Sequence, residues 1–310
     1  MALRALADVA APAKLNLFLH IVGRRADGYH LLQSVFVLID WCDKLHFELR
    51  TDGRMARHDL GTKLPEDDLC LRAACALQQA SGCALGADVS IDKQVPWGAG
   101  LGGGSSDAAS TLLALNRLWG LNWPRARLMA LGLSLGADVP FFIGGRNALV
   151  EGIGERLRPL PVPPQWLAVI KPAAAIETRA LFASPLLVRD TEAVILEGFP
   201  ADVSDDATAD ATAHVRQWLE GAGRNDMQRA AEAECGEVSQ AASLLETRFG
   251  NSRMTGSGSA VFARAGFAGK DVAGAEVAPS AGMPVALPAG WVGRMCRSLE
   301  RHPLVGWAED

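Results

Sequence analysis

The chain has 310 residues, 49% of them hydrophobic and 21% charged, with a net charge of −5 at neutral pH. That length accommodates one large domain or two ordinary ones, and the apolar fraction excludes an intrinsically disordered chain. The charge is dispersed, so no broad basic surface for nucleic acid is expected, and no run of about 18 uncharged apolar residues is present to span a membrane.

Residues 14–23 alternate Leu15, Leu17, Leu19 and Ile21 with other positions, the period of a strand. Asp27-Gly28 signals a hairpin turn, after which 30–39 and 43–50 read as two further strands. Leu69, Ala73, Ala76 and Leu77 recur at helical spacing within 65–82, and Gly82 suits the helix end. Residues 87–95 read as a strand. A glycine-rich loop then runs into a helix with Ala108, Leu112, Leu115 and Trp119 on one face and Gly120 at its end. Pro124 starts another helix. The proline-rich stretch 155–165 breaks the pattern and is expected to divide the chain, and 166–172 resumes as a strand. Residues 190–212 are acidic, alanine-rich and weakly periodic, the composition of a loop or insertion. Residues 224–250 read as two helices, and 252–265 as a second glycine–serine turn feeding an apolar strand. Residues 273–290 are too rich in Gly and Pro for an assignment.

The six cysteines at 42, 70, 75, 83, 235 and 296 include no CxxC pair, and the six histidines are scattered. Neither a disulfide framework nor a zinc site is indicated, and reduced thiols point to the cytoplasm. Arg4, Asp8 and Lys14 interrupt the apolar N-terminal stretch, so no signal peptide is expected.

The loop sequence VPWGAGLGGGSSDAA (95–109) contains G-x-G-x-x-G at Gly98, Gly100 and Gly103. A dinucleotide-binding unit needs an acidic residue about 20 positions on, after a second strand, where this chain has a helix. A P-loop needs Lys before Ser, where this chain has Gly104. A protein-kinase loop needs a following Ala-x-Lys strand, which is absent. Bare backbone leading onto a helix N-terminus nonetheless favours phosphate, because free N–H groups and the positive dipole end converge there. Ser105, Ser106 and Asp107 in the first turn can cap the helix, contact phosphate or hold a magnesium ion.

Three stretches together resemble the GHMP kinase superfamily: 12–36, 96–109 and 254–263 (MTGSGSAVFA). The segments AKLNLFLHIVGRRADGYHLLQSVF and LGADVPFFIGG (135–145) resemble more closely its 4-diphosphocytidyl-2-C-methylerythritol kinase family. The resemblance implies an α+β, two-domain GHMP kinase fold. A ribosomal-S5-like N-terminal domain would span 1–160 and a ferredoxin-like C-terminal domain 161–310. It implies ATP-dependent phosphorylation of the 2-hydroxyl of a small cytidine-diphosphate substrate, in the non-mevalonate route to isoprenoid precursors. Neither nucleic acid nor membrane is an expected partner.

Roles follow residue by residue from the same resemblance. An aspartate at a turn is ordinarily a cap. Here Asp138 becomes the general base. A strand lysine is ordinarily solvated, but Lys14 is implied to face Asp138, and Asn16, two residues on, to bind substrate or orient the pair. Tyr29, the sole tyrosine, is implied to stack on cytosine, His30 to bond its edge, Phe182 to stack on the opposite face and Thr178 to contact the substrate. Pro96, Trp97, Gly98, Ala99, Gly100, Leu101, Gly102, Gly103, Gly104, Ser105 and Ser106 would hold ATP, with Mg²⁺ bridging its phosphates through ligands that the motif leaves unassigned. The family more often carries Asn where Asp68 stands, which puts an adenine-side hydrogen bond from this position in question. Homoserine or mevalonate kinases, and a non-catalytic ligand-binding member, are the rival readings. DGYH disfavours the first pair, and Lys14 with Asp138 the last.

Overall fold

Strand β1 (Ala5–Arg24) and strand β2 (His30–Arg50) form a long antiparallel hairpin. The computed structural model describes residues 3–66, 68–194, 215, 217–268, 283 and 285–310. Gly28 takes φ +91 in the hairpin turn, the conformation that an Asp-Gly pair favours. The two strands expected over 30–39 and 43–50 are one. Its first half pairs with β5 (Ala148–Gly152), and its second half pairs with β4 (Gly86–Asp92). Parallel β3 (Met55–Asp59) and antiparallel β6 (Arg156–Pro159) complete a six-stranded sheet.

Alternation in β1 predicts one wet face, yet every residue from Ala11 to Ile21 is buried. At Lys14 the backbone N–H leaves β2 and donates to the Leu101 carbonyl of the glycine loop at 2.9 Å. Beyond Asn16, Leu19 exchanges backbone bonds with Arg224 and Asp226. One strand thereby serves three neighbours along its edges, and its faces are covered too: Leu15 and Leu17 share a core cluster with Leu167 and Val169, and the helix Gly103–Leu118 packs against the same strand.

Helix α1 (Leu69–Ser81) ends at left-handed Gly82, and α2 (Gly103–Leu118) packs on the sheet. An amphipathic α2 was expected. Instead its residues from Ser106 to Leu118 are buried, except Arg117, because α1, α4 and β1 surround it. Helices α3 (Arg125–Leu133), headed by Pro124, and α4 (Val139–Gly144) follow.

The first sheet's last strand ends at Pro159, and β7 (Gln165–Lys171) opens a second sheet. Its antiparallel order is β10-β7-β9-β8, with β8 Arg253–Met254, β9 Val261–Phe267 and β10 Val292–Arg297. Numbered within this unit the order is 4-1-3-2, the ferredoxin-like arrangement. Helices α5 (Thr178–Ala183), α6 (Gln228–Glu234) and α7 (Gly236–Phe249) belong to it, the last two matching the helices read over 224–250. Most of the acidic segment 190–212 and of 273–290 lies outside the described residues. The C-terminal residues return to the first unit: Arg125 donates to the carbonyls of Ile143 at 2.8 Å and Ala308 at 2.7 Å. No described helix is long and apolar enough to cross a membrane.

Candidate active site

A cavity of about 1080 Å³ lies between the two sheets' loops, and all three motifs reach it. Lys14 and Asn16 project into it from β1, Gly100 and Gly102 from the glycine loop, and Gly256 and Ser257 from the glycine–serine turn. Asp138 enters from the N-terminus of α4, where its side chain caps nothing. The helix therefore leaves that carboxylate free to face the cavity.

Lys14 is buried, with its Nζ 3.7 Å from Asp138 Oδ2 and 4.5 Å above the Phe36 ring. Burial pushes its pKa below the usual lysine value, and the neighbouring Asp138 opposes that shift. The same ammonium donates to Asn16 Oδ1 at 2.6 Å. Asn16 Nδ2 in turn donates to Ser34 Oγ at 2.9 Å. The sequence left Asn16 either binding substrate or orienting the pair. Its side chain is bonded within the protein, to Lys14, Ser34 and Thr255, while the residue also lines the cavity.

The glycine loop does two different things. Gly102 (φ +71) lies against Lys14, where a Cβ would come within 3.1 Å of Lys14 Cγ and 3.0 Å of Phe142 Cζ. Gly100 instead lets two loops touch. A Cβ there would lie 2.9 Å from Gly258 N and closer still to the Thr255 carbonyl oxygen, while one on Gly256 would meet the Gly100 carbonyl at 2.7 Å. Ala260 N–H donates to the Ala99 carbonyl across the same junction. Part of the glycine density thus serves loop packing. Gly103, Gly104 and Ser105 form the first turn of α2, where backbone N–H groups have no partner earlier in the helix. Ser106 Oγ is buried without a hydrogen-bond partner. Ala99 and Leu101 are buried, whereas Trp97, next to Pro96 and Gly98, is 71% exposed.

At the other end of the cavity, His30 stacks on Phe182 with ring centroids 4.7 Å apart and planes 14° from parallel. One face of Phe182 is therefore taken by His30 rather than left open for a base. Tyr29, 62% exposed, stands at the rim. His30 Nε2 is buried without a partner, and desolvation, with Arg24 and Arg189 adding to it, lowers the imidazole pKa. Thr178 donates to Ser257 Oγ at 2.8 Å, tying α5 to the glycine–serine turn.

Several groups here had no signature in the sequence. Arg24 and Arg179 line the cavity as cations. Beneath the start of α2, Lys93 bonds Asp107 at 2.5 Å and also Asp43, which accepts from the N–H groups of Gln94 and Val95. Two carboxylates share one ammonium, and burial pushes Asp107 up to about 7 against the pull of Lys93. The sequence left Asp107 to cap the helix, contact phosphate or hold magnesium, and here its carboxylate instead pairs with Lys93. Asp43 lies 50 residues from Lys93, so no local spacing signals the pair. Asp68 caps α1 by accepting from Leu71 N–H at 3.0 Å and pairs with Arg57, so its carboxylate is spent on structure.

Residues 68–146 match the family model for the N-terminal domain of GHMP kinases. The 4-diphosphocytidyl-2-C-methyl-D-erythritol kinase of Methylibium petroleiphilum is 62% identical over 308 residues, covering 99% of this chain and all of that one. The chain belongs to the 4-diphosphocytidyl-2-C-methyl-D-erythritol kinases. A second family member, from Albidiferax ferrireducens, is 53% identical over 99% of this chain and 96% of its own. A crystal structure of a 4-(cytidine 5'-diphospho)-2C-methyl-D-erythritol kinase superposes with a TM-score of 0.66 at 35% identity, over 84% of this chain and 89% of that one. A homoserine kinase from Cytophaga hutchinsonii shares the fold at TM-score 0.58 and 17% identity, over 86% and 87% of the two chains. The α+β GHMP kinase fold expected from the motifs is the fold of this family.

Proposed function

We propose that the chain transfers the γ-phosphoryl group of ATP to the 2-hydroxyl of 4-diphosphocytidyl-2-C-methyl-D-erythritol, giving the 2-phosphate and ADP in non-mevalonate isoprenoid synthesis. The observation that carries this reading is one cavity holding Lys14 opposite Asp138, bare glycine backbone beside them and an aromatic group at the far end.

Residues 1–160 would form the nucleotide unit and 161–310 complete the substrate site, a division supported by the change of sheet between Pro159 and Gln165. In this reading Asp138 accepts the proton of the substrate hydroxyl as its oxygen attacks phosphorus. Lys14, held on Asn16, offsets charge developing on the transferring group. The N-terminal amides of α2 and the loop from Pro96 to Ser106 hold the ATP phosphates. Among the described residues no three acidic, His or Cys side chains gather as a metal site. The unpartnered Ser106 hydroxyl and the ATP phosphates would therefore hold Mg²⁺, a donor set that this ion accepts. When bound, it would neutralise phosphate charge.

Tyr29, His30 and Phe182 would take the cytosine, with the base packing against the His30–Phe182 stack and Tyr29 closing from the rim. Thr178, which lines the cavity, would contact the substrate, and Arg24 and Arg179 would supply cations for the diphosphate. ADP release measured with the diphosphocytidyl substrate, and separately with homoserine, tests the assignment. Turnover with the first alone is expected, and turnover with homoserine alone would overturn it.

A further inference from the structure

Thr255 stands where the three motifs converge, and the chemistry above makes no use of it. Its hydroxyl, fully buried, accepts from Asn16 N–H at 2.9 Å and donates to Asn16 Oδ1 at 3.2 Å. That amide oxygen is the one that accepts from Lys14. The Thr255 backbone is fixed as well. Its N–H donates to the Ala260 carbonyl at 3.0 Å, and its own carbonyl accepts from Gly258 at 3.0 Å and faces Gly100.

An amide side chain has one accepting end and one donating end, and rotation about its last torsion exchanges them. Flipped, Asn16 would turn N–H groups toward an ammonium. Two hydroxyls oppose the flip. Ser34 gives its proton to the Phe18 carbonyl, so toward Asn16 it can only accept. Thr255 accepts from the Asn16 backbone, so its proton goes to Oδ1.

We propose that Thr255 is a positioning residue for phosphoryl transfer: its hydroxyl fixes the Asn16 amide so that Oδ1 holds Lys14 Nζ opposite Asp138. This rests on the kinase reading of the cavity. An oriented carbonyl dipole 2.6 Å from the ammonium favours its charged form, working against the lowering that burial imposes on Lys14. The contact links residues 239 positions apart, so the glycine–serine turn reaches Lys14 through Asn16.

The test compares Thr255→Val, which removes the hydroxyl and keeps the shape, with Thr255→Ser, which keeps the hydroxyl. In the full-length enzyme, Thr255→Val is expected to lower kcat about tenfold to a hundredfold, the range for a misplaced catalytic group. The KM for ATP and for the diphosphocytidyl substrate should both stay within about threefold. The alkaline limb of kcat against pH should move about one unit lower, because Lys14 gives up its proton more readily. Thr255→Ser should restore both. The Lys14 ammonium resonance, followed by ¹H–¹⁵N NMR without ligand and assigned with Lys14→Met, should titrate at lower pH in Thr255→Val. That measurement needs no substrate, so it judges the inference even if the substrate assignment fails. An unshifted Lys14 titration, an equal kcat loss in the Val and Ser variants, or wild-type kcat in Thr255→Val would each overturn the proposal. Should Thr255→Val not fold, Thr255→Ala against Thr255→Ser in the same titration decides the matter by the same criterion.

Discussion

Replacing Gly100 by alanine probes the junction that joins the glycine loop to the glycine–serine turn. Gly100 has φ +72, where an alanine costs about 1–2 kcal/mol for its left-handed backbone alone. The added Cβ would also lie 2.9 Å from Gly258 N and closer to the Thr255 carbonyl oxygen. Both are backbone atoms and cannot swing aside as a side-chain tip does. Forcing them apart adds about 1–3 kcal/mol of overpacking, so a total loss of about 2–5 kcal/mol is expected. Gly82 is the control. It has φ +67 at the end of α1, but a Cβ there would meet nothing within 4 Å. Gly82→Ala should therefore cost only the backbone share, about 1–2 kcal/mol. Urea unfolding followed by tryptophan fluorescence measures the difference, and ADP release reads its consequence. Thr255 touches Asn16, and Asn16 holds Lys14, so Gly100→Ala should also lower kcat while Gly82→Ala keeps it. Equal destabilisation by the two substitutions, or unchanged kcat in folded Gly100→Ala, would refute the reasoning.

Asp138→Asn should reduce kcat by about 10²- to 10⁴-fold, the share typical of a general base, with the Kd for ATP measured by calorimetry nearly unchanged. In the wild type, kcat should fall on the alkaline side at a pH below the ordinary lysine pKa of about 10.4, because Lys14 carries its charge only below its lowered pKa. Tyr29→Ala should raise the KM for the diphosphocytidyl substrate by the loss of about 1–3 kcal/mol of stacking and leave the KM for ATP alone. An equal rise in both would contradict base stacking. His302 is buried with Nδ1 accepting from Leu304 N–H, and burial lowers its pKa from 6.5 to about 3, with Arg125 adding to the shift. The unfolded chain takes up that proton first as pH falls, so stability contributed by this site is intact above about 6.5 and declines toward 3. The slope is at most about 1.4 kcal/mol per pH unit. Chemical denaturation at pH 7 and pH 5 should show that fall in the wild type and a smaller one in His302→Asn.

Local pattern already marked the hairpin at Gly28, the end of α1 at Gly82 and the two helices over 224–250, since each depends on residues within a turn or two of one another. Asp27-Gly28 needs only a left-handed φ, and Gly82 only open space for a helix end. The family motifs likewise singled out Lys14 and Asp138, whose identity is chemical. Pattern misread β1, β2 and α2 because burial is set by neighbours that no window contains. Alternating leucines in β1 look half-exposed until residues 167–170 of the second sheet pack among them. Helix α2 looks amphipathic until α1 and α4 close around it. The paired-acid site of Lys93 draws Asp43 from 50 residues away, and Thr255 meets Asn16 across 239, so neither was visible as spacing. By itself the sequence determined which backbone could bind phosphate, because glycine's freedom belongs to single residues, and its family motifs pointed to the groups that would move a proton. Only the tertiary structure decided that part of the glycine run packs against another loop, that His30 lies on Phe182, and that one amide is pinned between two hydroxyls. Contact and orientation depend on where distant parts of the chain meet, and that is fixed by packing of the whole.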